Sequence, residues 1–216
     1  LGVETNTQDT TGTVLAERPV SVSQAELEQV LGQFRGEIRQ IPPMYSAIKI
    51  QGKKLYELAR RGQEVERDPR PVTIHALEIL DQPSPTEYTL RVACSKGTYV
   101  RTLCHDIGQA LGCGGTMYAL RRTQAAGFTL DQAVTLDQAQ EQGEALLLPT
   151  DSLFSHYPVF LLKSERAEKR VRNGNPLSVS SLTDGTYRVY SQQGEFLCLS
   201  RCTAGTLTSL KNFFGG

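Results

Sequence analysis

The stretch Tyr88-Thr-Leu-Arg-Val-Ala-Cys94-Ser-Lys-Gly97-Thr-Tyr-Val-Arg101-Thr-Leu-Cys-His-Asp-Ile-Gly-Gln-Ala-Leu111 changes its hydrophobic period halfway along. Tyr88, Leu90, Val92 and Cys94 recur at every second residue, which places them on one face of a strand. Beyond the Lys96-Gly97 turn, Leu103, Ile107, Ala110 and Leu111 fall at helical spacing, and Gly112 stops the run. A half-buried strand leading into an amphipathic helix is the signature of an α+β layer. Upstream, residues 71–80 read as a second strand, with Pro83 and Pro85 marking the loop between the two. Earlier still, residues 23–34 predict a helix: Ser23 is its N-cap, Glu26 completes a capping box, and Leu27, Val30, Leu31 and Phe34 form its inner face. After a Gln51-Gly52 turn, residues 53–61 read as a short helix with Leu55, Leu58 and Ala59 inward and Lys53, Lys54, Arg60 and Arg61 outward.

Downstream, Thr135 with Gln138 marks another helix start. Past Asp151 the texture turns to short, turn-punctuated runs at residues 185–190 and 194–199, the hairpins of a small sheet or barrel. A boundary near Pro149 therefore divides the chain into domains 1–150 and 151–216. Regular β-α-β alternation is missing from the larger part, which predicts an α+β fold with a mixed, largely antiparallel sheet flanked by helices. The smaller part is expected to be β-rich.

With 216 residues, 39% hydrophobic and 21% charged, the chain can bury a sizeable core, and intrinsic disorder is excluded. Its 23 basic and 23 acidic residues cancel, but not evenly along the chain. Residues 1–34 carry −4, residues 35–122 carry +5, residues 123–162 carry −5 and residues 163–216 carry +4. Two basic blocks either side of an acidic bridge suit a protein that grips a polyanion at two places. No apolar run approaches the length of a membrane span and no signal peptide is read, so a cytoplasmic, membrane-free protein is expected. The five cysteines form no C-x-x-C pair, which argues against a disulfide framework or a zinc site. Cys198 and Cys202 are expected in the core rather than on a metal.

Two segments carry chemistry. In residues 41–61, Pro42 and Pro43 stiffen the start, Gly52 turns the chain, and basic residues interleave with Tyr45 and Tyr56. Aromatic faces that stack on unpaired bases and cations that neutralise phosphates suit RNA. By composition alone, a hairpin with two buried tyrosines fits better. In residues 94–102, an extended chain would point Tyr99 and Arg101 the same way, pairing a ring that can pack on a base with a fork that can hold a carboxylate or phosphate. A surface arginine beside a core tyrosine reads equally well.

These segments, Pro-Pro-Met-Tyr-Ser-Ala-Ile-Lys49, Gly52-Lys-Lys-Leu-Tyr-Glu-Leu-Ala-Arg60 and Cys94-Ser-Lys-Gly-Thr-Tyr-Val-Arg-Thr102, with Asp106-Ile-Gly and Leu111-Gly, closely resemble the bacterial TruB-type tRNA pseudouridine-55 synthases. The opening Leu1-Gly-Val-Glu-Thr-Asn-Thr-Gln-Asp-Thr-Thr-Gly12 is similar too, with Asn6 where an aspartate is usual, and Leu120-Arg-Arg122 fits the family's leucine and arginine pair. The likeness is strong over residues 1–151. Beyond them it rests on Asn173-Gly-Asn-Pro176 and a family tendency toward a small PUA-like C-terminal domain that binds RNA.

The resemblance implies isomerisation of the T-loop uridine at position 55 of tRNA, with no cofactor or metal and a monomeric protein. It makes Arg101 and Tyr99 catalytic: Arg101 pairing with the catalytic aspartate, Tyr99 contacting the flipped uridine. Leu120 would line the base pocket, and residues 40–70 would form an RNA-gripping thumb. RNA contacts are thereby expected from Tyr99, Leu120, Met44, Tyr45, Ser46, Lys49, Lys53, Lys54, Arg60, Lys96 and Arg121. The family's nucleophile lies in a Gly-x-Leu-Asp-Pro-x-Ala-Thr-Gly motif, which occurs nowhere in this sequence and belongs upstream of Leu1. Neither Asp9 nor Asp106 stands in such a motif. The chain is therefore expected to be the larger part of a synthase, inactive by itself. The alternative is a non-catalytic RNA-binding or RNA-remodelling module.

Overall fold

Residues 1–214 are described by the structure, a computed structural model, and they divide into two units, Leu1–Gly127 and Phe128–Gly216. In the first, strands β1 (Val3–Thr5) and β2 (Val14–Glu17) pair antiparallel and bracket a loop over residues 6–13. Helix α1 (Gln24–Phe34) starts where the capping box predicts: Ser23 Oγ accepts from the Glu26 N–H at 3.2 Å, and the Ser23 N–H donates to the Glu26 carboxylate at 2.8 Å. Then come β3 (Gly36–Gln40), β4 (Lys49–Ile50), β5 (Lys53–Lys54), α2 (Leu55–Ala59), β6 (Arg70–Ser84), β7 (Glu87–Cys94), α3 (Val100–Ala110) and β8 (Gln124–Ala125).

Strands β3, β6 and β7 form an antiparallel sheet in that order. Leu27 and Leu31 of α1, Ile74 and Leu77 of β6, and Leu103 and Ile107 of α3 make one buried cluster. Tyr88, Leu90, Val92 and Cys94 pack against it, so the expected inner face of β7 is the real one. Helix α3 also lies against the loop that follows it. A Cβ at Gly108 would sit 2.1 Å from the Gly115 backbone nitrogen, an approach only glycine permits.

Three local expectations fail. The second helix begins at Leu55 and ends at Ala59, shorter than 53–61, because Gln51 (φ 50°) and Gly52 (φ 81°) make a tight turn that draws Lys53 and Lys54 into a ladder with Lys49 and Ile50. Two left-handed central residues are what a two-residue hairpin of type I′ requires. Strand β6 runs through Pro83 to Ser84 rather than stopping near Leu80. The pairing with β7 is irregular between Asp81 and Ser84, so the missing proline N–H interrupts no rung there. Helix α3 begins at Val100, so Arg101 is already helical and only Tyr99 (φ −94°, ψ 102°) is extended. The alternation expected to align Tyr99 with Arg101 does not exist.

The second unit contains β9 (Phe128–Thr129), α4 (Leu136–Gln142), β10 (Val159–Leu161), α5 (Glu165–Arg172), β11 (Leu177–Ser178), β12 (Gly185–Tyr190), β13 (Phe196–Thr203) and β14 (Thr206–Asn212). Thr135 caps α4 through a capping box with Gln138, as its sequence predicts. Five strands order as β10-β12-β13-β14-β11, antiparallel except where β10 runs parallel to β12. Leu162, Val171, Val189, Leu197, Cys198, Cys202 and Leu207 fill the core, so both cysteines are packing residues. Helix α5 was not anticipated from sequence, although Ser164 caps it and Lys169, Arg170 and Arg172 occupy its last turn. The division between units falls at Gly127, ahead of the expected boundary near Pro149. Residues 128–153 have no buried side chain, Leu136 being 88% exposed, so the change in texture read near Pro149 precedes the start of the core at Leu162.

Candidate active site and RNA interface

The loop over residues 6–13 is built around Asp9. Its Oδ1 accepts from Thr7 Oγ1 at 2.8 Å, the Thr11 N–H at 3.1 Å and Thr11 Oγ1 at 2.5 Å, while Oδ2 faces Arg101 Nη1 at 2.8 Å. A short acidic side chain bonding its own following backbone is a common device for ordering a turn. Gly12 completes it: a Cβ there would lie 2.2 Å from Thr7 Oγ1. Burial pushes the Asp9 carboxyl up, but the bonds from Thr11, Thr7 and Arg101 outweigh it and lower its pKa to about 2. Gln8 (φ 63°) accepts from the buried Thr102 hydroxyl at 2.7 Å, a second tie between this loop and the start of α3.

Arg101 is held by two segments distant in sequence, the loop over residues 6–13 and Tyr45. Nη1 donates to the Thr7 carbonyl at 3.2 Å and to Asp9, and Nη2 donates to the Tyr45 carbonyl at 2.9 Å. With three of its five N–H groups engaged, two remain without a partner among the described residues. The guanidinium, on a side chain that is 24% exposed, is thus fixed in place with donors to spare for another carboxylate or a phosphate.

Tyr99 is half-buried at the N-cap of α3, and its backbone is bonded at both N–H and C=O by Gln40. Residues 41–69 leave the sheet at Gln40 and return at Arg70, which are paired partners in β3 and β6. This excursion has its own small core: Leu55 is fully buried, Leu58 nearly so, and α2 seats on residues 46–48 through Leu55 N–H to Ile48 O and Tyr56 N–H to Ser46 O. Lys54 and Arg60 each lie 5.4 Å from the Tyr56 ring centre, and Lys54 Nζ also donates to the phenol oxygen at 3.3 Å. Lys49, Lys53 and Arg60 are exposed, so the excursion presents a row of cations with an aromatic ring among them.

The remaining sequence-derived candidates scatter. Met44 is half-buried and Ser46 is buried with its hydroxyl unbonded. Lys96 is exposed in the turn before Thr98. Leu120, 56% exposed, and Arg121 lie in an irregular exposed segment that is tied to the loop over residues 6–13 by Met117, which exchanges backbone bonds with Gln8 and Thr10 at 3.1 Å, and by the Tyr118 carbonyl, which accepts from Thr10 Oγ1 at 3.4 Å. Sequence reasoning set Asp9 aside and took Gln40 only as the start of the thumb, with no role of its own for either. The signal for Asp9 was the spacing Thr7-x-Asp9-x-Thr11, hydroxyls on both sides of one carboxylate. Nothing local marks Gln40.

Solved structures share this architecture. A chain of a Cbf5-Nop10-Gar1 complex superposes with a TM-score of 0.62 at 23% identity, covering 91% of this chain and 64% of its own. Sequence relationships are much closer. Residues 1–100 match the TruB family pseudouridylate synthase N-terminal domain, and residues 101–155 match the tRNA pseudouridylate synthase B C-terminal domain. The tRNA pseudouridine synthase B of Ralstonia nicotianae is 48% identical over 204 residues, covering 90% of this chain and 65% of the relative. That of Pseudomonas aeruginosa is 47% identical over 212 residues, covering 94% and 69%. The chain belongs to the TruB family of pseudouridine synthases. It spans less than two thirds of the Ralstonia nicotianae relative and of the Alkaliphilus oremlandii one, of which 64% is covered.

Proposed function

We propose that this protein is a cytoplasmic tRNA pseudouridine synthase that isomerises the T-loop uridine at position 55, acting as a monomer without a cofactor. The observation that carries this reading is Arg101, held by Thr7, Asp9 and Tyr45 with two donors unclaimed. Those donors would orient a nucleophilic carboxylate at the uridine. The N1–C1′ bond breaks, the base rotates, C5 bonds to C1′, and the C5 proton departs as N1 regains one, so the product is an isomer.

Asp9 is unsuited to be the nucleophile. Its carboxylate already accepts four hydrogen bonds and ionises at about 2, so its electron pairs are committed to the loop and to Arg101. We assign the nucleophile to an aspartate other than Asp9. Tyr99 would pack against the flipped uridine. Extruding a base costs a few kcal/mol of stacking, which the cations of residues 41–69 and Tyr56 would offset by holding phosphates and an unpaired base. The β-rich unit is assigned a second contact with the RNA.

The test is release of the C5 hydrogen from a T-arm stem-loop labelled there. Arg101→Ala should reduce the single-turnover rate far more than RNA affinity, because its fork acts at the chemical step. Tight binding of the stem-loop by the unsubstituted intact protein, with no product, makes it an RNA-binding module instead.

A further inference from the structure

We infer that Gln40 is a positioning residue that sets the aim of Tyr99 and Arg101, an inference that rests on the synthase reading above. Gln40 ends β3 and is 2% exposed. A buried amide has to place both its oxygen and its nitrogen on partners, and here both go to a single residue. Gln40 Oε1 accepts from the Tyr99 N–H at 2.8 Å, and Nε2 donates to the Tyr99 carbonyl at 3.0 Å, across 59 positions of sequence. This pair of bonds reproduces the rungs of a neighbouring strand just where the ladder has run out. Strand β7 ends at Cys94, and the Ser95 N–H to Thr73 O bond follows it.

The clamp fixes the residue that caps a helix. Tyr99 is the N-cap of α3, its side chain makes no capping bond, and its carbonyl also accepts from the Leu103 N–H at 3.0 Å. The start of α3, and with it the direction of Arg101 in the first turn, is therefore set from Gln40. Gln40 is also the root of the 41–69 excursion, whose Tyr45 carbonyl receives Arg101. One buried amide thus joins the RNA-gripping segment to the residues proposed for chemistry.

Two substitutions in the intact protein separate positioning from simple support. Gln40→Met keeps most of the volume and loses both bonds; Gln40→Glu keeps the acceptor and loses the donor. Each is measured for single-turnover pseudouridine formation on the T-arm stem-loop, for affinity to the same RNA, and for hydrogen exchange at the Tyr99 amide. A displacement on the order of 1 Å can cost about 100-fold in rate, so Gln40→Met should lose about that factor with RNA affinity unchanged and faster exchange at Tyr99. Gln40→Glu should lose less. An unchanged rate in either folded variant, or rate and affinity falling in equal proportion, overturns the inference. If the unsubstituted protein forms no pseudouridine, the synthase reading falls on its own account. The clamp is then decided by exchange: acceleration confined to residues 99–101 supports it, and unaltered exchange at Tyr99 removes it.

Discussion

Replacing Asp9 by asparagine tests how the loop over residues 6–13 holds Arg101. The carboxylate accepts on both oxygens, three bonds from Thr7 and Thr11 on Oδ1 and one from Arg101 on Oδ2. An amide has one acceptor and one donor, so in either orientation an NH2 confronts the Arg101 guanidinium or the Thr11 N–H. The loss can be sized from the carboxyl itself. A pKa lowered from 3.8 to about 2 corresponds to about 2–3 kcal/mol of folding stability. The pair is part-buried, its side chains 24% and 15% exposed, so water screens it and the loss falls below the roughly 3–5 kcal/mol of a fully buried pair. Because the folded pKa lies below the unfolded one, this stability is complete above pH 4 and fades as pH falls through about 2. Urea unfolding of the unsubstituted protein and of Asp9→Asn, from pH 7 downward, should show a gap of about 2–3 kcal/mol at neutral pH that narrows below pH 4. A gap independent of pH, or one under about 0.5 kcal/mol at pH 7, refutes the view that charge on Asp9 organises the loop.

Substituting Lys49, Lys53 and Lys54 together by glutamine should reduce the slope of log affinity against log salt for T-arm RNA by about 2–3, since each phosphate contact contributes slightly less than one; an unchanged slope takes the 41–69 excursion out of the interface. Gly108→Ala would push a methyl group to 2.1 Å from the Gly115 nitrogen, and should lower stability in urea by about 1–3 kcal/mol, whereas full stability would mean that α3 and the 112–116 loop separate easily.

Features governed by neighbours within a few residues were legible in the sequence. The Ser23–Glu26 and Thr135–Gln138 capping boxes, the inward face of β7 and the core placement of Cys198 and Cys202 follow from local spacing and polarity, and each is found as expected. Resemblance pointed to Arg101, and local pattern to the cations around Tyr56. What the sequence could not supply was the set of partners. Arg101 meets Asp9 across 92 positions and Tyr45 across 56, and Gln40 meets Tyr99 across 59. Spacing carries no information about which distant backbone groups will lack a partner once the sheet has closed. The start of α3 shows the consequence: local pattern left Arg101 ahead of the helical spacing, but Tyr99 is bound by Gln40 at both its N–H and its carbonyl, and the helix begins one residue after it, at Val100. Local chemistry determined the elements and their faces. Only packing, which buries Gln40 and half-buries Asp9 beside groups that must be hydrogen-bonded, decided how those elements make a site.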